Sequence, residues 1–299
     1  MRTNVKYAGD FRKKATPYVY LFPTVTLMVV LIVVPITMVI GYSFFDNVIV
    51  NPSPEFVGLQ NYFSILGDST FRVAVRNTAF FVGFSVLFHM ILGMTFAMLL
   101  NTRYIGNKTK AVFRVLYVLP WVFTASVIAI LWRLMLNPSG IVNYILNTLH
   151  LVDGRIEWLG SRQFALMSVT VVNIWAGYPF FMISILAGLQ GISTDLYEAS
   201  AIDGANMVQQ FLRITIPQLK PILISLIMLD FVWTTQQFAL IWMLTGGGPI
   251  NATEMLSTYI YKQGFSRFQY SMASASATIV LVICTIVAIL YVRHQKARD

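Results

Sequence analysis

Asp230 stands about ten residues inside an apolar segment, and Trp233, Thr234 and Gln237 follow it at i+3, i+4 and i+7. On a helix these four share one face, a polar-aromatic stripe about 10 Å long. A carboxylate, an indole, a hydroxyl and an amide together suit a polyhydroxylated solute. Its hydroxyls need hydrogen-bond partners and its flat C–H faces stack on rings. Two other segments offer related groups. Trp175-Ala-Gly-Tyr-Pro-Phe180 combines rings with Gly177, which permits close approach, and Pro179, which frees a backbone carbonyl toward Trp175. Pro120-Trp121 does something similar in an earlier segment. Each has a plainer reading: a tryptophan at depth packs, Gly177 serves helix packing, and Asp230 makes a structural hydrogen bond to a neighbouring helix.

Other chemistry is thinly represented. His89, His150 and His294 lie far apart and show no ligand spacing, and one cysteine, Cys284, excludes a disulfide framework or a Cys-rich metal site. No catalytic residue, metal site or cofactor is expected. A phosphate-binding Gly-x-x-x-x-Gly-Lys-Ser/Thr loop is absent; Gly106-Asn-Lys-Thr109 lacks the preceding glycine.

The elements that must hold these residues follow from where charge is missing. Hydrophobic residues make up 57% of the chain, charged residues 11%, and mean hydropathy is +0.69. A soluble domain carries about 25% charge, so water alone is not the solvent, and intrinsic disorder is excluded. Asp, Glu, Lys and Arg are absent from 15–45, 77–102, 115–132, 163–194, 231–253 and 268–292. A spanning helix needs roughly 20 apolar residues. The pattern predicts an all-α polytopic membrane protein with about six transmembrane helices, near 18–44, 75–101, 112–136, 165–189, 220–244 and 270–292. Barrel strands would alternate, and these runs do not. The first run is about 30 residues with no small-residue cleavage site after it, which argues against a cleaved signal peptide.

A carboxylate near the bilayer midplane costs on the order of 2.5–3.5 kcal/mol. Asp230 is therefore expected to face the protein interior or a water-filled cavity. The net charge of +9 is a topology signal rather than a nucleic-acid footprint. With six spans, both termini, the 103–114 loop and the 190–220 loop share one side. That side holds five Lys/Arg up to Lys14, four from Arg103 to Arg114, Arg213 and Lys220, and three after Val292; the other holds seven. The positive-inside rule makes the richer side cytoplasmic.

Three acids, Asp195, Glu198 and Asp203, cluster in one short stretch of that side. Ser193 or Thr194 can cap a helix there. Gly204 can end it in the left-handed region. A second short helix is expected to about Arg213, and Pro217 and Pro221 are expected to disrupt the backbone before the fifth span. The first helix is small-sided (Ala199, Ser200, Ala201, then Ala205), with Leu196 and Tyr197 as apolar anchors and Glu198 as an ionic one. It reads as a knob for a groove on a partner, or as an ordinary interfacial connector.

Glu198-Ala-Ser, Gly204 and Ile214-Thr-Ile-Pro217 resemble the EAA loop of permease subunits of binding-protein-dependent ABC importers, and the fuller string resembles the carbohydrate-uptake branch. Ser200 stands where Ala is usual, and Ile216 where Leu is usual. Leu244-Thr-Gly-Gly-Gly-Pro249, with Thr253-Glu254 and Tyr259-Ile-Tyr261, is similar to the first permease of the maltose and glycerol-phosphate type. The resemblance implies an ABC type I importer transmembrane fold over 71–292, with the tail, first helix and outer loop in 1–70, a coupling segment at 193–221 and a cytoplasmic tail at 293–299. It implies a transport subunit, not an enzyme, in the cell inner membrane. This subunit would move a sugar or oligosaccharide with a second homologous permease, two ATP-binding ATPase subunits and an extracytoplasmic solute-binding protein. It assigns ATPase coupling to Glu198, Ala199, Ser200, Ala201, Asp203 and Gly204, and substrate binding to Trp121, Gly177, Phe180, Asp230, Trp233, Thr234 and Gln237. The first rival is a secondary transporter using Asp230 as a proton or sodium site; a membrane-embedded enzyme and, within the ABC class, an amino-acid or polyamine permease are the others.

Overall fold

The structure, a computed structural model, describes residues 4–102 and 104–296. Arg2, Arg103 and Arg298, which entered the charge count, lie outside the described residues. The helices in chain order are α1 (Asn4–Met28), α2 (Val34–Tyr42), α3 (Gln60–Gly67), α4 (Ser69–Asn101), α5 (Asn107–Val122), α6 (Ala125–Met135), α7 (Ile141–Thr148), α8 (Ala165–Gln190), α9 (Thr194–Ile202), α10 (Met207–Gln210), α11 (Ile216–Thr235), α12 (Ala239–Leu244), α13 (Leu256–Tyr261) and α14 (Tyr270–Lys296). Five stretches are long and apolar enough to cross a bilayer: Thr16–Tyr42, Ser69–Asn101, Ala165–Gln190, Met207–Thr235 and Tyr270–Arg293. The α5–α6 pair makes a sixth if it is one broken span.

Two of the expected spans are corrected. The third, drawn as one helix over 112–136, is broken, and its halves are bent by 98°. Phe123 and Thr124 are extended, and Thr124 caps α6 by accepting from Val127 N–H. Pro120, the obvious breaker, sits inside α5. The fifth, expected over 220–244, ends at Thr235; Gln236 and Gln237 leave the helix before α12 starts.

The start of the fifth span also differs from expectation. Pro217 and Pro221 do not interrupt it, because α10 runs through a wide five-residue turn, Phe211–Thr215, directly into α11. The wide turn pairs Ile216 N–H with Phe211 O. It draws the backbone aside where the Pro217 ring would otherwise strike the carbonyl one turn back.

Contacts divide the chain into two units. One comprises 1–65 and 263–279, the other 66–262 and 280–299. In the first, α1 passes through another wide turn, Val29–Val33, into α2, with apolar side chains exposed from Tyr18 to Val39, as lipid contact requires. The connection after α2 is tied by Asn61, whose Nδ2 donates to Ser43 O and Phe45 O, both at 2.9 Å, and by Asn47 Oδ1, which accepts from Tyr270 N–H at 3.1 Å.

The second unit carries the candidate site. Its most extensive helix pair is α4 with α8. Gly93 faces Phe181 there with no room for a Cβ, so the backbones approach closely. One apolar cluster joins Phe81, Ile128, Val169, Val172, Leu240 and Ile241. A second joins Met94, Ala97, Phe181, Ile185, Leu219 and Leu223. Along α4 and α8 the stretch between these clusters holds three buried polar residues, Ser85, His89 and Asn173.

Candidate functional site

That polar layer forms one wall of a cavity of about 210 Å³. Asp230, on α11, is 7% exposed. Its Oδ2 lies 2.8 Å from His89 Nδ1, and its Oδ1 accepts from Thr234 Oγ1 at 3.0 Å. His89 Nε2 lies 3.1 Å from the carbonyl oxygen of Asn173, and Asn173 Nδ2 donates to Ser85 Oγ at 3.0 Å. Three helices, α4, α8 and α11, are thereby tied at one level by side chains that lipid could not solvate.

The opposite character belongs to the aromatic part. Trp121 and Trp233 are about half exposed, 49% and 52%. Phe180 lies between them, its centroid 5.9 Å from Trp121 and 5.3 Å from Trp233. Rings held by a neighbour yet open on one side can still receive a solute. Trp121, Gly177, Asp230, Trp233, Thr234 and Gln237 all line the cavity; Phe180 does not line it but buttresses the two indoles. Gln237 lies beyond the end of α11, not on its i+7 face, and its N–H donates to Thr234 O at 3.2 Å. Gln236 is exposed and does not line the cavity. Trp175 is in packing contact with Trp132, at 5.5 Å.

Gly177 acquires a specific reason. A Cβ there would overlap the His89 ring, so glycine is what lets the imidazole approach α8 this closely. Sequence reasoning missed His89 itself. It lies within the run of α4 that is free of Asp, Glu, Lys and Arg, an ionisable group at membrane depth and a functional pointer in its own right. Its partner is 141 residues away, and histidine was weighed only as a metal ligand.

The second candidate region is the 193–215 hairpin. Ser193 caps α9 by accepting from Asp195 N–H, and Gly204, at φ 79°, turns the chain as expected. Asn206 then opens α10 in a reciprocal capping box with Gln209. The base is pinned: Tyr197 Oη is 2.9 Å from Thr215 Oγ1, and Gln210 Nε2 donates to Tyr197 O and Ser200 Oγ at 3.1 and 3.0 Å. Tyr197 therefore anchors by a hydrogen bond as well as by its ring. Ser200 turns inward, while Glu198, Ala199, Ala201, Asp203 and Gly204 are exposed. The hydroxyl that departs from the usual alanine thus bonds within the hairpin.

The Leu244–Pro249 segment leads into a buried polar knot. Thr253 bonds Thr245 at 2.7 Å, and fully buried Glu254 pairs with Lys262 and accepts from Thr258 Oγ1 at 2.9 Å. Asn77 Nδ2 donates to three carbonyls of the same loop, those of Asn251, Ala252 and Glu254. Trp158 Nε1 donates to Asn143 Oδ1, and Tyr261 packs against the rings of Phe238 and Trp242.

Residues 89–298 match the family described as the binding-protein-dependent transport system inner membrane component. The chain belongs to that family. It is 33% identical over 299 residues to the trehalose/maltose transport system permease protein of Thermococcus litoralis, covering 100% of this chain and 99% of that one. Identity to the diacetylchitobiose uptake system permease protein of Streptomyces coelicolor is 30% over 286 residues, covering 93% and 85%. A solved bacterial ABC transporter involved in import of the acidic polysaccharide alginate superposes with a TM-score of 0.83 over 98% of this chain and 99% of that chain. Its 24% identity makes it evidence of fold alone. The chain is accordingly a multi-pass inner-membrane permease of an ABC importer. As a transport subunit it works with a solute-binding protein and with separate ATPase subunits that carry out ATP hydrolysis.

Proposed function

We propose that this permease moves a sugar or oligosaccharide into the cytoplasm by alternating access, and that the 210 Å³ cavity lies on the solute path. The observation that carries the reading is the pairing of two half-exposed indoles around Phe180 with a wall of fixed hydrogen-bonding groups. Trp121 and Trp233 stack on C–H faces, buttressed by Phe180. Asp230, Thr234 and Gln237 supply polar contacts, and Gly177 leaves the space. Relatives that carry trehalose, maltose and diacetylchitobiose in their names support this solute class. Both Asp230 oxygens are engaged within the protein, which favours this reading over an ion-coupled carrier.

The assembly is a second homologous permease, two ATPase subunits and a binding protein docked on the outer face. The charge bias supports a topology with both termini and the hairpin in the cytoplasm. Glu198, Ala199, Ala201, Asp203 and Gly204 form the face that enters a cleft on the ATPase, with Ser200 bracing it from within. Closure of the ATPase pair rocks the helices as rigid bodies. The hairpin acts only by binding differently in the two states. Proteoliposomes holding the complete importer test the reading. Labelled trehalose, maltose or diacetylchitobiose should accumulate only with ATP inside the ATPase compartment; uptake that follows an ion gradient without ATP would contradict it.

A further inference from the structure

The hydrogen bonds around His89 determine how many protons its pair with Asp230 carries. A backbone carbonyl only accepts, so Nε2, facing Asn173 O at 3.1 Å, holds a proton. Nδ1 then faces Asp230 Oδ2 at 2.8 Å. A neutral Nε2–H imidazole against an ionised carboxylate would set lone pair against lone pair. One further proton therefore lies between them, giving imidazolium with carboxylate or imidazole with carboxylic acid. Both forms sum to zero charge. Thr234 Oγ1 donates to the other oxygen, Oδ1, and is satisfied in either form.

The surroundings demand this neutrality. His89 and Asp230 are 2% and 7% exposed, and no other residue lining the cavity is ionisable. The groups in contact with the pair from α8 and α11 include Asn173, Gly177, Phe181 and Thr234, none of them charged. A net charge there would stand unscreened at membrane depth. We propose that His89 is a positioning residue that forms, with Asp230, a one-proton, net-neutral unit, so that the cavity wall presents fixed dipoles and no charge to the solute. This rests on reading the cavity as the solute path. It assigns His89 the task of cancelling the one carboxylate that lines this cavity.

The chemistry of asparagine supplies the test. In Asp230→Asn the amide nitrogen donates to Nδ1 of neutral imidazole and the amide oxygen still accepts from Thr234, so every bond survives. In His89→Gln the carboxylate loses the group that shares its proton. Thermal-denaturation midpoints of the purified importer complex are compared for the parent, the two single variants and the double variant. Asp230→Asn should shift the midpoint by no more than about 2 °C, and His89→Gln should lower it by about 6 °C or more. Adding Asp230→Asn to His89→Gln should recover at least half of that loss. Should His89→Gln block assembly, the rescue is read as recovered assembly. Equal losses in both single variants that add in the double, or a His89→Gln loss under about 2 °C, would overturn the proposal. The measurement needs no solute, so it stands or falls separately from the sugar assignment, which uptake decides.

Discussion

The cavity wall and the hairpin carry polar residues of similar kinds arranged in opposite ways. At the wall, Asp230, His89, Asn173 and Ser85 are buried and bonded to one another across three helices. At the hairpin only the base is bonded, through Tyr197, Ser200, Gln210 and Thr215, and the tip presents Glu198, Ala201 and Asp203 without cover. On the function proposed above, a wall that lines a solute path must hold its geometry unaided. A hairpin proposed to act as a lever needs rigidity at its root and free chemistry at its tip for a second protein to complete.

Substitutions can break or sharpen that contrast. The largest effect is expected at the tip. Glu198→Lys should leave the permease in the membrane and ATP hydrolysis intact while coupled uptake falls at least about tenfold, equivalent to a coupling loss of roughly 1.4 kcal/mol; paired hydrolysis and uptake assays on one vesicle preparation read this. At the wall, Gly177→Val drives a side chain into the His89 ring. Overpacking of this kind costs about 1–3 kcal/mol, and the melting midpoint of the importer should drop accordingly. Trp233→Ala removes a half-exposed ring, so stability should hold while the half-saturating sugar concentration for uptake rises about 3–10-fold, the equivalent of one aromatic contact. Ser200→Ala should be mildest. Gln210 keeps its bond to Tyr197 O, so the loss is about 1 kcal/mol or less, and uptake should remain within about twofold of the parent.

The hairpin was legible in the sequence because its determinants are local. Ser193, Gly204 and the helix between them lie within a dozen residues, and each acts on its own backbone. The apolar spans were legible for the same reason. The break between α5 and α6 was not, since Phe123 and Thr124 are neither glycine nor proline, and the nearby Pro120 sits inside α5. Pro217 misled in the other direction: a wide turn one residue before α11 absorbed a residue that usually stops a helix. At the wall, Asp230, Trp233 and Thr234 were readable as a stripe, and they do share the cavity. Their partner was not readable. No local pattern joins His89 to Asp230 across 141 residues, and Gly177 could not be understood before the ring it accommodates was in place.

We propose that the exposed hairpin tip is the cytoplasmic handle by which separate ATPase subunits move this permease. Ala201→Cys in a Cys284→Ala background tests it directly, since Ala201 is exposed at the tip and Cys284 is the chain's one native thiol. Labelling with a membrane-impermeant maleimide is compared in right-side-out and inverted vesicles, with and without the ATPase subunits. The account predicts labelling in inverted vesicles alone, and its suppression when the ATPase is bound. Labelling from the outer face, or equal labelling with and without the ATPase, would contradict it.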